Sequence, residues 1–224
     1  MLEPIAPGIW HAQRGITIAG FAVTARMTVV KLADGGLWLH SPILIDDQLR
    51  AELDAVGPVK YVVAPNKAHH LFAKKALALY PQARLFGAPG LAEKRPDLLA
   101  MTALTASAPP EWAGQLDQVF MAGMPLVNET VFFHPPSGTA IFTDICQMWT
   151  GPLGWKETLF ARLTGVRNTL TVPRTIRLLV KDKAALRTSA LQVLAWPVQR
   201  VVVAHNSVVE AGAHAALKRA LGVV

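Results

Sequence analysis

Four side chains able to ligate a metal stand at the ends of apolar runs. His69 and His70 follow Lys60-Tyr61-Val62-Val63-Ala64-Pro65, a run with the continuous apolar character of a strand buried on both faces. Asp144 closes Ala140-Ile141-Phe142-Thr143-Asp144, and His205 closes Val201-Val202-Val203-Ala204-His205. Each imidazole offers a nitrogen lone pair and the carboxylate an oxygen, a donor mixture that suits zinc or iron. Taken singly, each residue has a plainer use: adjacent histidines cap a helix and face solvent, an aspartate caps a turn, and a buried histidine bonds to backbone. Three strands that each end in such a residue would bring them to one rim of a sheet scaffold, where α/β proteins build sites.

The elements that must hold these residues follow from punctuation and periodicity. Ile16 to Val23, Met27 to Leu32 and Leu37 to His40 are short apolar or β-branched runs, with Asp34-Gly35-Gly36 as a hairpin signal between the last two. An N-terminal β-meander is predicted. Asp46 to Leu53 predicts a short helix ending at Gly57-Pro58, and Lys60 to Ala64 a buried strand. Apolar spacing from His69 through Phe72, Ala76 and Tyr80 predicts a helix, so Asn66 to His70 falls on a strand-to-helix loop. Strands follow at Leu85 to Gly87, Leu116 to Met121, Thr130 to His134 and Thr139 to Phe142, the last two joined by Pro135-Pro136-Ser137-Gly138. From Trp155 to Ala195 the pattern is helical, broken at Gly165 and Pro173; a strand from Arg200 to Ala204 and a helix from about Val209 to Leu221 close the chain.

Composition sets the class. With 224 residues, 52% hydrophobic and 17% charged, the chain can bury a sizeable core, and neither a solenoid-period repeat nor a linker divides it. One domain, residues 1–224, is expected, with a basic helical insertion at about 150–195. The apolar runs fall far short of the roughly 20 residues of a membrane span, the start Met1-Leu2-Glu3-Pro4 is unlike a secretory signal, and a single cysteine, Cys146, leaves no intrachain disulfide. A cytoplasmic protein without a transmembrane segment is the expectation. Any metal must be held by histidine and carboxylate.

The formal net charge is +7, and the segment from Lys156 to Arg187 supplies +6 of it. Such a face could meet an anionic small molecule, an anionic membrane surface or nucleic acid, or only keep the protein soluble. A small-molecule substrate, with an anionic one in view, is the partner expected; nothing in the sequence speaks to oligomeric state. Trp149, Trp155 and Phe160 lie beside this segment and could form an amphipathic lid or a plain covering of the core. No Gly-x-Ser-x-Gly elbow, phosphate-cradling glycine loop or dinucleotide fingerprint occurs.

The order of these features, from a β-meander through a strand ending in histidines and a strand ending Phe142-Thr143-Asp144 to a late strand ending in His205, resembles the metallo-β-lactamase superfamily. Ala64 to Phe72 and Asn128 to Asp144 are similar to an uncharacterised bacterial family within it. The resemblance implies an αββα four-layer sandwich with a metal site at one edge of its two sheets. Asp144 and His205 match the superfamily's fourth and fifth motifs. Its first motif, His-x-His-x-Asp-His, aligns with Pro65, Lys67, His69 and His70, so that only His70 matches; one register over, Asn66 and Ala68 take the first two histidine positions. The third motif, Gly-His, reads Gly123-Met124.

A two-metal hydrolase site is therefore hard to assemble. What the resemblance implies is one zinc or iron ion held by His69, His70, Asp144 and His205, with Asp144 and Glu129 as the catalytic carboxylates, Glu129 as general base or extra ligand. His40 stands where the superfamily supports its ligand histidines. Two functions remain open: a metal-dependent hydrolase-like enzyme, and a non-catalytic binding protein that keeps the sandwich with a vestigial metal site.

Overall fold

Successive residues of a strand face opposite sides of its sheet, and that alternation sorts the apolar residues of this chain into layers. The structure, a computed structural model, describes residues 1–18 and 20–222. Its strands are β1 (Glu3–Ala6), β2 (Ile9–Ile18), β3 (Phe21–Lys31), β4 (Leu37–His40), β5 (Val59–Ala64), β6 (Arg84–Gly87), β7 (Thr102–Ala103), β8 (Asp117–Phe120), β9 (Thr130–His134), β10 (Thr139–Phe142), β11 (Arg200–Val203) and β12 (Val208–Val209). Its helices are α1 (Asp47–Val56), α2 (Ala73–Leu79), α3 (Leu91–Lys94), α4 (Trp155–Thr164), α5 (Arg174–Arg177), α6 (Lys183–Leu194) and α7 (Ala213–Leu221). Among the described residues, β1 to β7 form one sheet in sequence order, and a second runs β12-β11-β10-β9-β8. The first is antiparallel as far as β4 and parallel beyond it; β10 and β11 are parallel within the second.

Along β4, Leu37 and Leu39 face α1 and α2, where they meet Leu49, Leu53, Ala73 and Ala76, while Trp38 between them faces the other sheet. Along β9, Val131 and Phe133 face α6 and α7, and Phe132 points inward. Trp38 meets Phe132 and Trp112 edge-on, with ring centroids 4.9 and 6.0 Å apart, and these rings join the sheets with Ile9, Val63, Phe86 and Ile141. The result is the four-layer αββα sandwich expected from the sequence.

Local chemistry sets the boundaries. The β3–β4 hairpin turns at Gly35, whose φ of +81° a side chain would strain, and Asp34 accepts the Gly36 N–H at 2.9 Å. Asp46 caps α1 by accepting the Leu49 N–H at 2.9 Å. Three expectations need correction. The run from Ile16 to Val23 is two strands, with Ile18 paired to Phe21 about Gly20 at φ +81°; Ala19 lies outside the described residues. The helix expected from His69 begins at Ala73, because the Asn66 side chain holds residues 66–69 in a turn. Val208 and Val209 form a strand beside β11, and the last helix starts at Ala213. No helix among the described residues is long and apolar enough to cross a membrane.

Candidate metal centre

Strands β5, β10 and β11 end at one rim, and the loops that follow them bring His69, Asp144 and His205 together. One donor atom from each lies within 4.8 Å of the others. His69 Nε2 and His205 Nε2 stand 3.4 and 3.5 Å from the same oxygen, Asp144 Oδ1. All three side chains are largely buried, with 10, 18 and 10% of His69, Asp144 and His205 exposed.

The far side of each residue is tied to the scaffold. His205 Nδ1 lies 2.9 Å from the Thr24 carbonyl, which can only accept; Nδ1 therefore carries the proton, and a neutral His205 turns its Nε2 lone pair toward Asp144. His69 Nδ1 lies 2.7 Å from Ser41 Oγ, and the tautomer that donates to this hydroxyl likewise frees Nε2. Asp144 Oδ2 accepts from Asn66 Nδ2 at 2.8 Å. Ser41 and Asn206, next to the ends of β4 and β11, have φ of +54° and +67°. For serine that is a strained conformation, of a kind that persists where surrounding structure enforces it.

Charge follows the same geometry. Burial opposes ionisation at Asp144, but the imidazoles of His69 and His205 hold its carboxyl well below the usual carboxylate range. Burial likewise opposes a charged His69, yet the adjacent carboxylate, with Glu129, keeps its pKa above the ordinary histidine value. The carboxylate and the two imidazole Nε2 atoms thus converge on one buried spot.

The donor set fits a single ion. Donors about 2.0–2.2 Å from a tetrahedral ion stand roughly 3.3–3.5 Å from one another, and both nitrogen–oxygen separations here match. Each ligand atom also has its opposite atom hydrogen-bonded, as orientation of a metal ligand requires.

His70 is not brought to this cluster. Its Nδ1 accepts from the Arg95 guanidinium at 2.7 Å, and burial together with Arg95 and Lys94 lowers its pKa. Glu129 is fully buried behind the rim. Its Oε1 accepts the Thr143 N–H at 2.7 Å, and Oε2 accepts those of Asp144 and Ile145 at 2.8 and 3.0 Å. Burial and the charge of Asp144 push its carboxyl up, against these donors. His40 is buried, stacked on Trp38 and edge-on to Phe132, and its Nε2 has no hydrogen-bond partner among the described residues. Burial, then the charge of His69, pushes its pKa down to about 3. His134 closes its own turn, with Nδ1 2.7 Å from Ser137 Oγ.

Two positioning residues escaped the sequence reading. Asn66 accepts the N–H groups of Ala68 and His69 with Oδ1 while its amide donates to Thr143 and Asp144; the signal was an asparagine directly after a strand end. Arg26 is buried in β3 and donates to the carbonyls of Val203, Ser207 and Asn206, which bracket His205. A lone cation inside an apolar strand was its signal.

Beside the cluster lies a cavity of about 370 Å³ whose walls include Ile16, Phe21, Val23, Phe72, Trp149 and Phe160. Among the described residues that line it, none is a lysine or arginine. Within the basic segment, Arg174 donates to the Leu163 carbonyl and Arg177 to the Val172 carbonyl and Thr171 Oγ1, while Lys156 lines an outer groove that shares Phe21 and Phe160 with the cavity. Of the aromatic residues beside that segment, Trp149 and Phe160 line the cavity and Trp155 the outer groove.

No curated protein matches this sequence. Among solved structures, a metallo-β-lactamase from Erythrobacter litoralis superposes with a TM-score of 0.68 at 15% identity, over 100% of this chain and 96% of that one. A metallo-β-lactamase from Pontibacter korlensis gives 0.65 at 14% identity, over 99% and 98%. The Flv1 flavodiiron core from Synechocystis sp. PCC6803 gives 0.69 at 15% identity, over 100% of this chain and 60% of that one. Likeness at such identities shows the fold: this is a metallo-β-lactamase fold. The sequence model of the domain of unknown function DUF4336 matches residues 7–150, and the chain belongs to that family.

Proposed function

We propose that this protein is a metal-dependent hydrolase that acts on a small molecule and holds one zinc or iron ion through His69, Asp144 and His205. The observation that carries this reading is the pair of 3.4 and 3.5 Å separations from Asp144 Oδ1 to two imidazole nitrogens whose opposite nitrogens are already engaged. A bound ion of this kind supplies Lewis acidity, polarising a substrate oxygen or lowering the pKa of a water. His69, Asp144 and His205 would hold the ion and leave it open to that oxygen.

The remaining work falls to the chain itself. Asn66 and Ser41 orient Asp144 and His69, and the Thr24 carbonyl fixes the His205 tautomer. Asp144 supplies the one anionic donor of the proposed set, beside two imidazole nitrogens. Glu129 takes a positioning role in this reading: both its oxygens serve backbone N–H groups of the turn that carries Asp144. His70, with Nδ1 spent on Arg95, is left outside the ligand set.

Elemental analysis after reconstitution with zinc or iron(II) tests this reading. About one equivalent of metal should bind, and Asp144→Ala or His205→Ala should abolish it. Less than about 0.2 equivalents in the folded wild-type protein would overturn the metal site and leave a sandwich kept for binding alone. Loaded protein should then turn over at least one of the phosphodiester, thioester and lactone model substrates, with activity lost on chelation.

A further inference from the structure

We infer that the ligand of this site is an acyl compound whose uncharged, medium-length alkyl chain fills the cavity while its carbonyl end meets the His69–Asp144–His205 cluster. The carbonyl half rests on the metal-site reading; the chain half rests on the cavity alone.

At about 370 Å³ the cavity falls within the usual size of small-molecule sites, roughly 300–1,000 Å³. Its polar groups are gathered at one end, where Ser41, His69, Asp144, Gln147 and His205 line it, and the rest of the wall is apolar. A charged or heavily hydroxylated tail placed against Ile16, Val23 and Phe160 would give up hydration without finding a partner, at a cost of several kcal/mol per group. An alkyl chain gains from the same burial. The wall is also composite: strands β2 and β3 contribute one side, the 66–72 turn another, and α4 the aromatic side, where Phe160 lies 5.4 Å from Trp149 and 5.1 Å from Phe21.

The apolar surface does not stop at the mouth. Phe21 and Phe160 also line a shallow outer groove with Trp155, Leu159 and Leu163, which are 74, 51 and 63% exposed, and with Lys156, whose ammonium lies 5.7 Å from the centre of the Trp155 ring. A chain longer than the cavity has an apolar track to follow along α4. The α4 carboxylate, Glu157, is not among the residues lining this groove and accepts the Ala22 N–H at 2.9 Å.

The test separates chain from carbonyl. Isothermal titration of metal-stripped protein with 1-butanol, 1-hexanol and 1-octanol should show affinity rising about 3–4-fold per methylene, the value that corresponds to roughly 0.8 kcal/mol per buried CH₂. Succinate, a short dianion, should show no heat of binding. Phe160→Arg should weaken 1-octanol at least tenfold. Because that change touches packed rings, Leu71→Arg at the 54% exposed rim is the companion variant, and it should weaken octanol while leaving the thermal midpoint unchanged.

With metal restored, kcat/KM for p-nitrophenyl esters should climb from acetate to octanoate; the step adds water to the acyl carbon, breaks the bond to the phenolate oxygen, and leaves the carboxylic acid and p-nitrophenol. Alcohol affinities that do not change with chain length, or succinate binding more tightly than octanol, would overturn the inference even if metal binds. Steep chain-length dependence in a protein that takes up no metal would sustain the cavity assignment and remove the hydrolase reading.

Discussion

Asn66 joins two loops of the site: its amide donates to Asp144 Oδ2 at 2.8 Å, while its Oδ1 accepts the backbone N–H of His69 at 2.7 Å. One side chain thus fixes the direction of a carboxylate and the backbone that carries an imidazole. Asn66→Ala should cost about 1–3 kcal/mol of stability, since buried donors and acceptors lose their partners. It should also weaken metal binding by roughly 10–100-fold, the usual effect of removing a residue that orients a ligand. Urea unfolding and competitive metal titration measure the two separately.

Glu129→Gln probes the turn after β10. The amide presents one NH₂ where a carboxylate oxygen now accepts a backbone N–H, so at least one donor among Thr143, Asp144 and Ile145 is left facing another donor. A destabilisation of about 2–4 kcal/mol is expected by denaturant unfolding, together with weaker metal binding. If Glu129 were instead a general base, the variant would bind metal normally and lose only kcat and the acidic limb of its pH profile.

Arg26 spans the sandwich. From β3 in the first sheet it donates to three carbonyls at the β11–β12 turn, at 2.5, 2.6 and 3.1 Å. Burial lowers its pKa to about 10, so it stays charged at neutral pH. Arg26→Lys keeps the charge but loses the planar fork, and should destabilise the protein by roughly 2–4 kcal/mol and lower metal affinity through His205. We propose that residues 1–224 fold as one domain; the variant should then lower the midpoint of a single cooperative transition, seen alike by far-ultraviolet circular dichroism and tryptophan fluorescence.

His40 carries a pH signature of known sign. Its pKa is about 3 in the fold and near 6.5 in an unfolded chain. Below pH 6.5 the unfolded state therefore binds a proton that the folded state refuses, and stability falls as pH drops toward 3, by about 1.4 kcal/mol per pH unit from this residue. Above pH 7 the contribution vanishes. His40→Phe keeps a ring against Trp38 and Phe132 and removes the titration, so the difference in unfolding free energy between the two proteins should widen in favour of the variant from pH 6 to pH 4. A constant difference over that range would show that His40 takes up its proton within the folded protein.

Much of the fold was legible because it depends on local rules. A short apolar run placed Leu37, Trp38 and Leu39 on a strand, Asp34-Gly35-Gly36 dictated a hairpin, and Gly165 and Pro173 interrupted the helical stretch where expected. Helix starts were less legible. The periodicity from His69 onward is genuine, but the Asn66 side chain competes for the N–H groups of Ala68 and His69 and postpones the helix to Ala73.

The sequence by itself determined the strand ends, and with them the candidates His69, His70, Asp144 and His205, because a ligand at the end of an apolar run needs no knowledge of its neighbours. Tertiary structure alone decided between His69 and His70. They are adjacent in the chain, yet one imidazole faces Asp144 and the other is held by Arg95, a residue 25 positions away. Tertiary structure also turned Glu129 toward backbone N–H groups and walled the cavity with apolar residues from β2, β3 and α4. Residue type limits which bonds a side chain can make; which of them it makes depends on the partners that long-range packing brings within about 3 Å.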